Sequence, residues 1–156
     1  MARDAALSAT VDMELVMARG HQLDESVEHL PIVLGNYTET IDGNTEEYNF
    51  EAFNHGSATR KVLAIFNELG LGHDLHRARS NRKIRAGKAT TRGRVHKTPK
   101  SVLLVVKEKA GLAQAARNLP GVDVVAAKDL SAEDLAPGGD VGRLTVFTKD
   151  AVEALN

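Results

Sequence analysis

Apolar residues at the start of the chain recur at helical spacing: Leu7, Val11, Leu15 and Ala18 fall on one stripe of an amphipathic helix over residues 5–19. Gly20 follows where a left-handed C-cap would sit. The next apolar run, residues 30–34, contains Ile32 and Val33 and is closed by Gly35 and Asn36, which predicts a short buried strand. Residues 36–55 lose any period; they are polar and acidic, with turn formers at Asp42-Gly43-Asn44, and read as an acidic surface loop or insertion. Its Tyr48, Phe50 and Phe53 are the residues available to fold back on the core.

Periodicity then returns. Ser57 is placed to cap a helix whose stripe is Val62, Ile65, Phe66 and Leu69, with Gly70 as its stop. Residues 71–79 are ambiguous. Residues 101–106, Ser-Val-Leu-Leu-Val-Val, have no polar face and predict a central strand buried on both sides. A helical stretch over 113–119, a break at Pro120-Gly121 and a strand over 122–126 complete a β-α-β unit. Ser131 caps a short turn that Pro137-Gly138-Gly139 ends, residues 144–147 form one more strand, and Thr148 caps a terminal helix to Leu155. About four strands alternating with helices predict an α/β fold, a mostly parallel sheet covered on both faces. At 156 residues, a single globular domain, residues 1–156, is expected.

Charge changes the picture. The net charge of −1 hides two opposed fields: residues 1–76 carry 4 Lys and Arg against 13 Asp and Glu, whereas residues 77–100 carry 10 against none. The remaining residues, 101–156, carry 6 against 8. Ten positive charges in 24 residues repel one another unless a polyanion neutralises them, so residues 77–100 read as an RNA-binding segment. Arg77, Arg79, Arg82, Lys83, Arg85, Lys88, Arg92, Arg94, Lys97 and Lys100 supply the charge. Gly87 and Gly93 let the backbone approach phosphates, Thr90 and Thr91 add hydroxyl donors, and His96 is the single ring in the stretch. Recognition of shape and backbone is therefore expected, with little base stacking from aromatic residues. A solvated basic loop is the plain alternative.

Other chemistry finds little support. With no cysteine there is neither a disulfide nor a thiolate metal site, and no apolar run approaches the ~20 residues that span a bilayer. Gly70-Leu-Gly72 follows a helix and lacks the third glycine of a dinucleotide fingerprint. His73 and His76, flanking Asp74, lack a third ligand, and no nucleophile elbow or paired carboxylate site is visible. We therefore expect no catalytic residues, metal, cofactor, membrane association or small-molecule substrate. A small enzyme on the same layered fold, or a protein-interaction module docking through the acidic first half, are the alternatives.

The basic segment also carries a family signature. Ile84-Arg-Ala-Gly-Lys-Ala-Thr-Thr-Arg-Gly-Arg94, followed by Pro99-Lys-Ser-Val-Leu-Leu-Val105, resembles the archaeal and eukaryotic branch of the large-subunit ribosomal protein four family. Similar stretches follow in order: Ala116-Arg-Asn-Leu-Pro-Gly-Val-Asp-Val-Val125, Glu133-Asp-Leu-Ala-Pro-Gly-Gly139 and Gly142-Arg-Leu-Thr-Val-Phe-Thr148, with Ala6-Leu-Ser-Ala-Thr10 and Ala18-Arg-Gly-His21 before them. The resemblance covers nearly the whole chain except the acidic stretch from Thr40 to Phe53. It implies a three-layer α/β/α domain in the large subunit of a cytoplasmic ribosome, contacting large-subunit rRNA and neighbouring ribosomal proteins and supporting assembly. Members of the family also carry an N-terminal segment with a long basic loop that reaches the peptide exit tunnel. The sequence starts after it, so the resemblance implies rRNA contact without a tunnel contribution.

Overall fold

The computed structural model describes residues 1–35, 37–41, 44–48 and 58–155. Its centre is a four-stranded, fully parallel sheet built from β1 (Ile32–Leu34), β6 (Leu103–Val106), β7 (Asp123–Ala126) and β8 (Thr145–Thr148), in the order β1-β8-β6-β7. Register is set by Leu104 opposite both Val124 and Val146, and by Val33 opposite Phe147. The expected α/β sheet of about four strands forms, and the strand expected over residues 101–106 forms as β6, Leu103–Val106, internal to it.

Side-chain alternation sorts this sheet into two cores. Val102, Leu104, Val106, Leu144 and Val146 pack on one face with Val62 and Phe66 of α3 (Ala58–Glu68), Leu75 of α4 (Gly72–Ser80) and Leu112 and Ala116 of α6 (Gly111–Ala116). Leu103, Val105 and Phe147 pack on the other with Ala6 of α1 (Ala2–Ala9), Leu135 of α7 (Ala132–Leu135) and Ala151 of α8 (Lys149–Leu155). Helices on both faces make the three layers. Among the described residues, no helix is long and apolar enough to cross a membrane.

Two caps follow the sequence. Ser131 Oγ accepts from the backbone N–H of Asp134, whose carboxylate accepts from the Ser131 N–H at 3.1 Å, closing a capping box. Thr148 Oγ1 accepts from the backbone N–H of Ala151 at 3.3 Å at the start of α8.

Two expectations are corrected. The helix expected over residues 5–19 is two helices, α1 and α2 (Met13–Ala18), because Asp12 starts a new one: its Oδ1 accepts from the Glu14 N–H at 2.9 Å. The break lets α1 bury Ala6 on one face of the sheet while α2 buries Val16 on the other. The predicted stripe is consequently out of phase, with Val11 and Leu15 exposed. The second correction lies within the acidic loop or insertion expected over residues 36–55: of its described residues, β2 (Tyr37–Ile41) and β3 (Asn44–Tyr48) pair antiparallel as strands. Thr38, Thr40 and Ile41 are β-branched, and Asp-Gly lies between the two strands in sequence, a pairing that outweighs the weak hydrophobic pattern. Phe50, Phe53 and the Ser57 cap lie outside the described residues.

Candidate nucleic-acid interface

The basic segment leaves the domain from α4, the helix formed where the sequence pattern over residues 71–79 is ambiguous. Asp74 in its first turn is fully buried, and four groups converge on it. Arg77, one turn along, donates from Nε to Asp74 Oδ1 at 2.8 Å; the Gln22 N–H donates to the same oxygen at 3.0 Å. Ser101 Oγ and His21 Nδ1 bond Oδ2, the latter at 3.1 Å. His21 Nε2 accepts from the Leu144 N–H at 3.3 Å, so the proton of the neutral ring sits on Nδ1. The 3.5 Å approach of Arg77 Nη2 to Nδ1 is then a meeting of two donors, not a bond. Burial by itself raises the Asp74 carboxyl, but the hydrogen bonds from His21, Arg77 and Ser101 outweigh it and hold the group far below the usual carboxylate range.

This hub closes the root of the segment. Arg77 Nη2 donates to the Lys100 carbonyl at 3.0 Å, joining the two basic residues that bound the stretch in sequence. Lys100 Nζ in turn donates to Asp123 Oδ2 at 2.6 Å, and the buried Arg143 reaches the same oxygen through Nη2. Burial raises the Asp123 carboxyl, and Lys100 and Arg143 more than offset it, so its pKa is lowered. Arg143 also donates to the carbonyls of Ser101, at 3.2 Å, and Asp134, at 2.8 Å, leaving the buried cation well bonded. Gly121 completes the closure: a Cβ there would lie 2.5 Å from the Pro99 carbonyl oxygen and 2.9 Å from Ala78 Cβ.

Beyond the root the chain forms a small hairpin. β4 (Lys83–Ile84) pairs antiparallel with β5 (His96–Lys97), and a one-turn helix, α5 (Lys88–Thr91), makes the tip. Gly87 precedes α5 at φ 72° and ψ −152°, a conformation open essentially to glycine alone, and Gly93 follows it at φ 77°. Neither would place a Cβ within 4 Å of another atom, so the tip is open at both glycines. The Arg85 N–H donates to the Val95 carbonyl at 2.8 Å and its Nε to the His96 carbonyl at 3.1 Å. Thr90 and Thr91 donate their hydroxyl hydrogens to the carbonyls of Arg85 and Lys88, shaping the tip instead of facing outward as donors.

The structure thus separates the candidate residues. Arg79, Arg82, Lys83, Arg85, Lys88, Arg92, Arg94, His96 and Lys97 are exposed, and none forms an ion pair with a carboxylate among the described residues. Lys83 stands directly opposite Lys97, and Ile84 opposite His96, so the two pairs lie on opposite faces of the hairpin. Arg77 and Lys100 are engaged at the root. Sequence reasoning missed Asp74, His21, Ser101, Asp123 and Arg143; only the three-residue step from Asp74 to Arg77 leaves a local signal. No group of described residues is arranged to hold a metal, and His73 pairs with Asp24 at 3.0 Å.

The chain matches the Ribosomal protein L4/L1 family over residues 1–156. It is 45% identical over 151 residues to the large ribosomal subunit protein uL4 of Methanocaldococcus jannaschii, a match covering 97% of this chain and 53% of the relative. The Methanopyrus kandleri protein of the same name is 46% identical over 151 residues, covering 97% and 52%, and the Halobacterium salinarum protein 40% over 149 residues, covering 96% and 53%. The chain therefore spans about half the length of these relatives. A parallel α/β sheet that carries a rooted, carboxylate-free basic hairpin, with this similarity along its whole length, makes the chain a member of the ribosomal protein L4/L1 family.

Proposed function

We propose that the chain is a structural constituent of the large ribosomal subunit, located on the cytoplasmic ribosome, that binds large-subunit rRNA through the basic hairpin and supports subunit assembly. The observation carrying this reading is the pairing of Lys83 with Lys97 across a two-residue ladder. Like charges directly opposite destabilise a strand pair, and the surrounding arginines add to the repulsion. A phosphate backbone relieves both at once. Arg82, Lys83, Arg85, Lys88, Arg92, Arg94 and Lys97 contact phosphates, with Arg79 and His96 beside them. Gly87 and Gly93 keep the tip free of side-chain bulk, Thr90 and Thr91 shape it, and Arg77 and Lys100 hold its root. The contacts position the domain by shape and charge, and neighbouring ribosomal proteins complete its surroundings. No catalytic group, metal, cofactor or small-molecule substrate belongs to this role.

The test is filter binding of the chain to an in vitro transcript of archaeal large-subunit rRNA across a salt series. Affinity should fall with log salt at a slope of about 0.7–0.9 per phosphate neutralised. Arg92→Ala combined with Arg94→Ala should weaken binding and flatten that slope by about 1.4–1.8. Wild-type affinity and slope in the double variant would remove the hairpin from the interface.

A further inference from the structure

An apolar cavity of about 300 Å³ opens between α3, α4 and the turn before β7, beside the point where the basic segment leaves the domain. Leu75 and Leu119, both buried, form its floor with Pro120, and Leu63 is a half-exposed wall. Three exposed polar side chains stand at its rim: Asn67, His76 and Arg79. His76 and Arg79 are one turn apart on α4 and share a face. The cavity lies beside the hairpin root: Pro120, in its lining, precedes Gly121, which approaches both Pro99 and Ala78.

We propose that this cavity receives an unpaired nucleobase of the RNA whose phosphates the hairpin grips, an inference that rests on the RNA-binding reading above. A splayed-out base offers two apolar faces and a hydrogen-bonding edge. The leucine and proline surface takes a face, and the planar groups of His76 and Arg79 stack on bases as aromatic residues do elsewhere. The Asn67 amide presents a donor and an acceptor to a base edge. Charge favours RNA over an apolar peptide side chain, because Arg79 stands at the mouth and Arg82 and Lys83 follow within a few residues, so an occupant with attached phosphates is attracted along the whole approach. The site supplies what the hairpin lacks, a way to prefer RNA with an unpaired nucleotide over a uniform duplex.

The test uses the whole chain, the same rRNA transcript carrying 4-thiouridine, and two separate variants, Leu63→Ser and Asn67→Ala, at exposed positions that leave the core intact. Each should lose affinity on the order of tenfold with the salt slope unchanged, since a stacked base releases no counterion. Crosslinks should map to residues 63–79. Thermal unfolding midpoints near the wild-type value show that the variants are folded, and His76→Ala provides a third variant if one is not. Wild-type affinity in the pocket variants, alongside weakened binding by Lys83→Gln with Lys97→Gln, overturns the pocket and leaves the hairpin reading intact. Wild-type affinity in all of them overturns both. In reconstituted subunits, a photoreactive group at position 63 that crosslinks to a ribosomal protein and not to rRNA also overturns the pocket.

Discussion

Asp74 shows how one buried carboxylate organises residues distant in sequence. Its folded pKa lies below the ordinary value of 3.8, so the ionised form is favoured by folding. That contribution is fully present above about pH 4 and is lost as pH falls through the depressed folded value. Asp74→Asn should lower stability at neutral pH by about 3 kcal/mol, because Arg77 and His21 lose their charged acceptor in a buried site. The variant should also lose stability less steeply than wild type below pH 4, as read from urea midpoints across a pH series; parallel acid limbs would show that Asp74 does not govern them. Gly121 makes a second prediction at this scale. Its φ of 81°, and a Pro99 carbonyl oxygen only 2.5 Å from where a Cβ would sit, leave no room for a side chain, so Gly121→Ala should destabilise by at least about 1–2 kcal/mol. An unchanged unfolding curve would contradict the tight closure of the root.

The hairpin behaves as an element whose stability and function oppose one another. Lys83→Glu replaces a like-charged cross-strand pair by an opposite-charged one and should stabilise the hairpin by about 0.2–1 kcal/mol. Hydrogen exchange at the Arg85 amide, bonded to the Val95 carbonyl, reports that gain, while affinity for rRNA should fall. Slower exchange together with stronger RNA binding would be incompatible with Lys83 as a phosphate contact. The α1 to α2 break has a separate signature. Asp12→Ala removes the acceptor for the Glu14 N–H and should cost about 1 kcal/mol, measured by chemical denaturation, without altering RNA binding.

Across the whole molecule, core and interface are physically separate. Leu104, in the inner strand β6, is fully buried on the α3 and α6 side, so Leu104→Ala should cost about 2–5 kcal/mol. Arg92→Ala with Arg94→Ala should leave the unfolding free energy within about 0.5 kcal/mol of wild type while RNA affinity drops, since both side chains are exposed and unpaired among the described residues. A double variant that unfolds early would mean that the hairpin tip contributes to the core. The parallel sheet, the central strand at residues 101–106, the Ser131 and Thr148 caps and the cationic character of residues 77–100 were all legible in the sequence. The strand, the caps and the charge depend on neighbours within one turn or one strand, and the parallel arrangement is read from strands alternating with helices along the chain.

Short windows of the sequence carry the α/β class and the residues that bear positive charge, because alternation, local hydrogen bonding and charge density are local properties; the resemblance to the family rests instead on the ordered motifs between Ile84 and Thr148. Which of those charges are free to meet a partner depends on contacts made in the folded chain. Arg77 and Lys100 are tied at the root by Asp74 and Asp123, where the chain closes around Gly121, while the Thr90 and Thr91 hydroxyls are spent on the carbonyls of Arg85 and Lys88 within the folded tip. The same is true of the split between α1 and α2, where helical periodicity continued through Asp12 but burial on opposite faces of the sheet required the chain to turn. Partners such as His21 and Asp74, 53 positions apart, meet only after the sheet has brought their elements together, and no window of sequence contains both.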